Sequence, residues 1–153
     1  MTQITLTQKE RTLLEDQKSH EEICIQKYKD YANQAQDPEL KALFNYYADQ
    51  EQQHFDTVSQ MLNGTIPQMN QGKQQQNNQP QISQGQTGNP TDYKLCTDQL
   101  MTEKYVSSTY NTSIFEFTNS EARKVLNHIQ KEEQEHGEGI FNYMQSRGMY
   151  NPK

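Results

Sequence analysis

Apolar residues recur along four stretches of the chain at alternating steps of four and three, the spacing of one helix face packed against neighbours. The clearest stretch is Leu40, Phe44, Tyr47, Glu51, His54, Val58 and Met61. A second reads Ala122, Leu126, Ile129, Glu133, His136, Ile140 and Tyr143. Both seams are apolar at their ends and carry Glu and His in the middle. The other two are Leu14, Gln17, Glu21, Cys24, Tyr28, Tyr31, Ala35 and Cys96, Gln99, Glu103, Val106, Tyr110, Ser113, Phe117.

Start and stop signals place the helices. Thr7-Gln8-Lys9-Glu10 is a capping box, so a first helix runs from there to about Gln36. Asp37-Pro38 opens a second, which Asn63-Gly64 ends. Pro90-Thr91-Asp92 opens a third, Thr118-Asn119-Ser120-Glu121 ends it and caps a fourth, and Arg147-Gly148 closes that one. The breaks inside 7–63 and inside 91–147 are very short, so each half is an antiparallel helical hairpin. Between them, 64–90 has almost no apolar content and includes Gln74-Gln75-Gln76-Asn77-Asn78-Gln79-Pro80; it reads as a disordered crossover loop. A segment of that length reaches about 90 Å when extended, against roughly 40 Å for one helix. The expected fold is all-α: one antiparallel four-helix bundle over 7–148, made of two hairpins that bury each other's apolar stripes. Two hairpins on a string, pairing with other chains, is the competing arrangement.

The two halves are copies. An offset of 82 positions carries Glu51 onto Glu133 and His54 onto His136. It also carries Glu21 onto Glu103, Tyr28 onto Tyr110 and Asp16-Gln17 onto Asp98-Gln99, with no gap. Glu21 and Glu51 lie about equally far from the first turn, so at 1.5 Å per residue their carboxylates share one level. Glu103 and Glu133 do the same about the second turn. In each Glu-x-x-His pair the two side chains share a helix face.

The repeat therefore predicts one mid-bundle layer of Glu21, Glu51, His54, Glu103, Glu133 and His136. Four carboxylates in an apolar seam resist ionisation by burial and by mutual repulsion. Two divalent cations balance their charge, and mixed oxygen and imidazole ligation suits iron or manganese, with zinc left open. The bland reading is a metal-free polar layer of protonated carboxyls and histidines. Gln17 and Gln99 fall near the heights of His54 and His136, where they either accept the imidazole's distal N–H or simply pack. Tyr28 and Tyr110 lie one heptad from the layer and are core or site residues. His20, His128, Glu22, Glu132, Glu135 and Glu138 fall off the seams and read as solvated face.

Composition narrows the function. The chain has 153 residues, a net charge of −6 and a mean hydropathy of −1.16. No Lys/Arg cluster suggests nucleic acid or an anionic membrane surface. No apolar run approaches the ~20 residues of a bilayer span, and the N-terminus lacks a signal-peptide core, so synthesis and retention inside a cell are expected. Cys24 and Cys96 belong to no Cys-x-x-Cys pair; they read as buried thiols, a disulfide or redox role being the alternative.

At these residues, from about Glu10 to Arg147, the sequence resembles the ferritin-like superfamily. That resemblance implies a four-helix bundle with a long crossover after helix two, metal bridging by Glu51 and Glu133, and Glu21, Glu103, His54 and His136 as terminal ligands. A fifth short helix and a rubredoxin-like domain, found in other branches, are absent from this sequence. The ending Phe141-Asn142-Tyr143-Met144-Gln145-Ser146-Arg147-Gly148-Met149-Tyr150-Asn151-Pro152 is similar to the closing motif of the bacterial spore coat protein F family. So is Asn119-Ser120-Glu121-Ala122-Arg123-Lys124-Val125-Leu126. The resemblance implies a coat component, made in the cytoplasm and assembled with other coat proteins or with itself. Many members of that family lack a full ligand set. This chain keeps all six residues, which implies the alternative of a di-iron or di-manganese oxidoreductase acting on peroxide, oxygen or ferrous iron.

Overall fold

The structure is a computed structural model that describes residues 2–68, 79–85 and 87–152. Its helices are α1 (Gln8–Gln34), α2 (Pro38–Leu62), α3 (Pro90–Glu116) and α4 (Ser120–Ser146), beside a short antiparallel pair of β1 (Thr2–Gln3) and β2 (Thr65–Ile66). Each helix starts where the sequence supplies an acceptor for its first free N–H groups. Thr7 and Glu10 close a reciprocal capping box, and Asp37, Asn89 and Asn119 cap α2, α3 and α4.

α1 packs on α2, α3 packs on α4, and α1 lies against α3. All seven residues of each α2, α3 and α4 seam are buried, and Phe117 is the cap residue that ends α3. In α1 the stripe is wider than predicted. Ile25 and Ala32 join it, while Tyr31 is only half-buried and donates its hydroxyl to Asp98 at 2.7 Å.

The core divides into two apolar clusters. One is built around Tyr28, Leu40, Phe44, Tyr47, Ile140 and Tyr143. The other is built around Tyr110, Ala122, Leu126, Ile129, Val58 and Met61. These are the same six positions in the same order, taken through the offset of 82 in one direction or the other. The repeat therefore exchanges the two ends of the molecule, and the Glu/His residues fall between them.

The same relation locks the hairpins together. The Glu10 carboxylate accepts from the Thr118 backbone N–H at 3.0 Å, in the turn of the second hairpin. Asp92, its repeat partner, accepts from the backbone N–H groups of Gln36 and Asp37 at 2.8 and 3.0 Å, in the turn of the first. Each acid also serves the cap of its own helix.

At both edges of the 64–90 stretch the chain is held in place. Gly64 has φ +86° and a Cβ there would sit 3.2 Å from the Ile4 carbonyl oxygen, so the turn into β2 needs glycine. Ile66 is buried against the second cluster and Ile82 packs on the first. Arg147, read in the sequence only as a helix stop, is buried and ties this connection down. Its guanidinium reaches Asp37, Glu39 and the Ser83 carbonyl, and lies over the Tyr143 ring. The Gln/Asn-rich centre, 69–78, lies outside the described residues.

Candidate metal centre

The seams bring Glu21 from α1, Glu51 and His54 from α2, Glu103 from α3, and Glu133 and His136 from α4 into one layer, none more than 3% exposed. Two overlapping sets form. Glu21, Glu51, His54 and Glu133 each offer a donor atom within 4.8 Å of the others, and so do Glu51, Glu103, Glu133 and His136. Glu51 and Glu133 belong to both. His54 Nδ1 lies 2.8 Å from Glu133 and 3.5 Å from Glu51. His136 Nδ1 lies 2.8 Å from Glu51 and 3.4 Å from Glu103.

Tyrosines hold the outer carboxylates. The Tyr110 hydroxyl donates to Glu21 at 2.6 Å, and that of Tyr28 donates to Glu103. These bonds are repeat-related and each crosses between hairpins. Burial, with the neighbouring carboxylates, pushes both phenols well above the ordinary range, so they remain donors.

The inward-facing atoms are left over. Glu21 Oε2, Glu103 Oε2, both oxygens of Glu51 and Glu133, and Nδ1 of both histidines are buried without a hydrogen-bond partner among the described residues. The 2.8 Å approaches are close in distance but lack hydrogen-bond geometry, as expected of donors converging on a common point. Such atoms are costly to bury unless something meets them. Two like charges ~4 Å apart repel by about 4 kcal/mol even at an effective dielectric of ~20.

Without a cation the layer relieves this with protons. Burial and the charge of Glu51 raise the Glu21 pKa well above the carboxylate range, and burial with Glu103, Glu51 and Glu21 does the same for Glu133. Burial also works against ionisation of Glu51, but Glu21, His136 and His54 outweigh it and hold this carboxyl well below its usual value. Burial lowers the pKa of both imidazoles, yet their carboxylate neighbours prevail, lifting His54 strongly and His136 to about 9. Carboxylate and imidazole donors of this kind suit a divalent cation, and each of the two overlapping sets could hold a metal ion.

Of the neighbouring residues, the two glutamines take the packing alternative and Glu132 departs from expectation. Gln17 does not meet His54: its amide donates to Ser113 Oγ at 3.2 Å and accepts from the Thr109 hydroxyl at 3.1 Å. Gln99 is fully buried, and neither of its amide atoms has a hydrogen-bond partner among the described residues. Glu132, assigned to the solvated face, is the group at His54 Nε2, 3.2 Å away, with His128 Nε2 on the same oxygen at 2.8 Å. Burial works against its charge, but His128 and His54 hold Glu132 well below the carboxylate range. A periodic seam cannot reveal such a residue, because it flanks the seam; the i,i+4 spacing of His128 and Glu132 was the available signal. Cys24 and Cys96 are free and buried in different clusters, where burial raises both thiols.

His136 has a neighbour of another kind. Tyr47 stacks on its ring at 4.3 Å, and the Tyr47 hydroxyl is packed against Gly139 so closely that a Cβ there would overlap it. Alanine at Gly139 gains about 1 kcal/mol in helix propensity but overpacks at about 1–3 kcal/mol. Gly139→Ala is therefore expected to destabilise the metal-free protein by about 1 kcal/mol. A Tyr47→Phe background, which removes the overlapping oxygen, should recover most of that loss. Urea unfolding of the four proteins of this cycle measures the coupling; additive effects would contradict the contact.

Residues 91–153 match the family model described as Coat F domain. That region holds α3, α4 and the ending with Arg147, and so one of the two hairpins. No curated protein and no solved structure matches the chain.

Proposed function

We propose that this chain is a spore coat component of the coat F type, built on a ferritin-like bundle that carries a two-metal carboxylate centre. The match over 91–153 supports the coat assignment, and the observation that carries the metal centre is the pair of Glu/His sets sharing Glu51 and Glu133. In this reading the whole of 7–148 is one domain and 64–90 crosses from the end of α2 to the start of α3. Glu51 and Glu133 would be shared by the two ions, and Glu21, His54, Glu103 and His136 would complete their ligand sets. Coat association is supported by apolar side chains left at the surface. Ile23, Met101 and Tyr105 flank a groove between α1 and α3, and Phe115 stands 75% exposed. No described helix is long and apolar enough to cross a membrane, which fits a partner that is another coat protein or a second copy.

The retained set of six donors favours a second reading, an oxidoreductase. Iron or manganese held there would supply redox chemistry toward peroxide, oxygen or ferrous iron. The protein's own part is then positioning. Tyr28 and Tyr110 fix the outer carboxylates, Glu51 and Glu133 set the spacing, and the flanking apolar clusters keep bulk water from the layer. A coat protein with a peroxide-removing centre satisfies both readings.

Fractionation of a sporulating culture tests the assignment. The protein is expected in the coat fraction of purified spores; abundance in the cytoplasm of growing cells would refute the coat role. Peroxide consumption by iron- or manganese-loaded protein, absent from the metal-free form, decides for the enzyme.

A further inference from the structure

The repeat is broken beside the candidate metal centre. The offset of 82 carries Gln50 onto Glu132. Glu132 reaches His54 Nε2, whereas the Gln50 amide donates to the Tyr46 hydroxyl at 3.2 Å. His136 Nε2, the counterpart of His54 Nε2, is buried with no hydrogen-bond partner among the described residues. A second difference accompanies the first. The Tyr47 ring stacks on His136, but the repeat partner of Tyr47 is Ile129, which offers His54 no aromatic face. One histidine is thus held by a carboxylate and the other by a ring.

We infer that the two halves of the centre are unequal, with Glu132 making the His54 half the tighter one, so that a divalent cation fills Glu21, Glu51, His54 and Glu133 before Glu51, Glu103, Glu133 and His136. The inference rests on the two-metal reading above. A histidine that binds through Nδ1 and donates its Nε2–H to a carboxylate is a better donor, because the anion polarises the ring and fixes its rotation. Glu132 is itself steadied by His128 and is only 13% exposed, so solvent screens its charge little. Stacking on Tyr47 orients the His136 ring but adds no negative charge. Glu132 is a positioning residue in this account: it acts on the ion through His54.

Anaerobic calorimetric titration of the full-length, chelator-stripped protein with Mn(II) tests this. Two steps are expected, one ion each, with dissociation constants separated by about 10–100-fold, the usual effect of a partner behind a ligating histidine. Glu132→Gln should weaken the tight step by that factor and leave the weak step in place, so the two merge. A role confined to folding would move both steps together. Glu21 serves only the first set and Glu103 only the second. Glu21→Gln should therefore remove the tight step and Glu103→Gln the weak one, which assigns the steps independently of how Glu132→Gln folds. Two indistinguishable steps in the unsubstituted protein, a tight step that survives Glu132→Gln, or a tight step lost with Glu103 would overturn the inference while leaving a two-metal centre intact. Failure to take up any Mn(II) would overturn that centre and the inference with it.

Discussion

Glu51→Ala is expected to abolish uptake of both ions, from about two per chain to none, and Glu133→Ala to do the same. These are the only two residues common to both donor sets. Each set loses one of its four protein donors and one of the negative charges that offset a cation, so both sites weaken together. The linked effect on stability is large. An ion present at ~1,000 times its dissociation constant stabilises the folded state by about 4 kcal/mol per site. For a chain of this size each kcal/mol moves the melting temperature by roughly 2–4 °C. The loaded protein should therefore melt some 10 °C or more above its metal-free form, and the two alanine variants should show no such rise. Elemental analysis of protein purified without a chelator, beside calorimetric melting with and without Mn(II), reads both effects. Metal content unchanged in either variant would remove these residues from the site.

The second large effect lies far from the centre. Asp92→Ala removes a fully buried carboxylate that accepts from the Gln36 and Asp37 backbone N–H groups and from the Asn89 side-chain amide. Leaving the two part-buried turn donors unmet costs about 1–3 kcal/mol each, and the Asn89 cap, which stays in place, loses the carboxylate that steadies its amide. The total should come near 3 kcal/mol, or a melting point lower by roughly 6–12 °C. Asp92→Asn keeps one acceptor oxygen and should lose about half as much. Metal stoichiometry should not change in either variant, because the interlock lies at the end of the molecule. A loss below ~1 kcal/mol for Asp92→Ala would mean that the turn amides find water instead.

What the sequence revealed and what it hid divide along physical lines. Helix limits were within two residues, because Thr7, Asp37, Pro38 and Asn63-Gly64 act locally. The layer was predictable because a period of 3.5 and a repeat of 82 fix both direction and height without any tertiary knowledge. The same rule put Tyr28 and Tyr110 one heptad from the layer but left core and site roles open; each reaches the outer carboxylate of the opposite hairpin. The misses and the open choices are contacts set by how hairpins dock. Height alone left Gln17 open between His54 and plain packing; it bonds the α3 hydroxyls of Ser113 and Thr109. Glu132 and Arg147 sit off the seams, where periodicity carries no information, yet Arg147 is buried and Glu132 half-buried, and each meets groups from other elements. The β1–β2 pair escaped notice because two residues show no alternation at all.

The crossed clasp of Glu10 and Asp92 gives the molecule a kinetic character. Neither hairpin can finish its own turn, since the acceptor it needs stands on the other half, 108 residues away for Thr118 and 55 or 56 for Asp37 and Gln36. Those turn amides are expected to exchange slowly until the halves separate, because each bond must break across the hairpins. The duplicated structure is therefore expected to unfold in one transition, and two separate transitions in calorimetry would contradict the clasp.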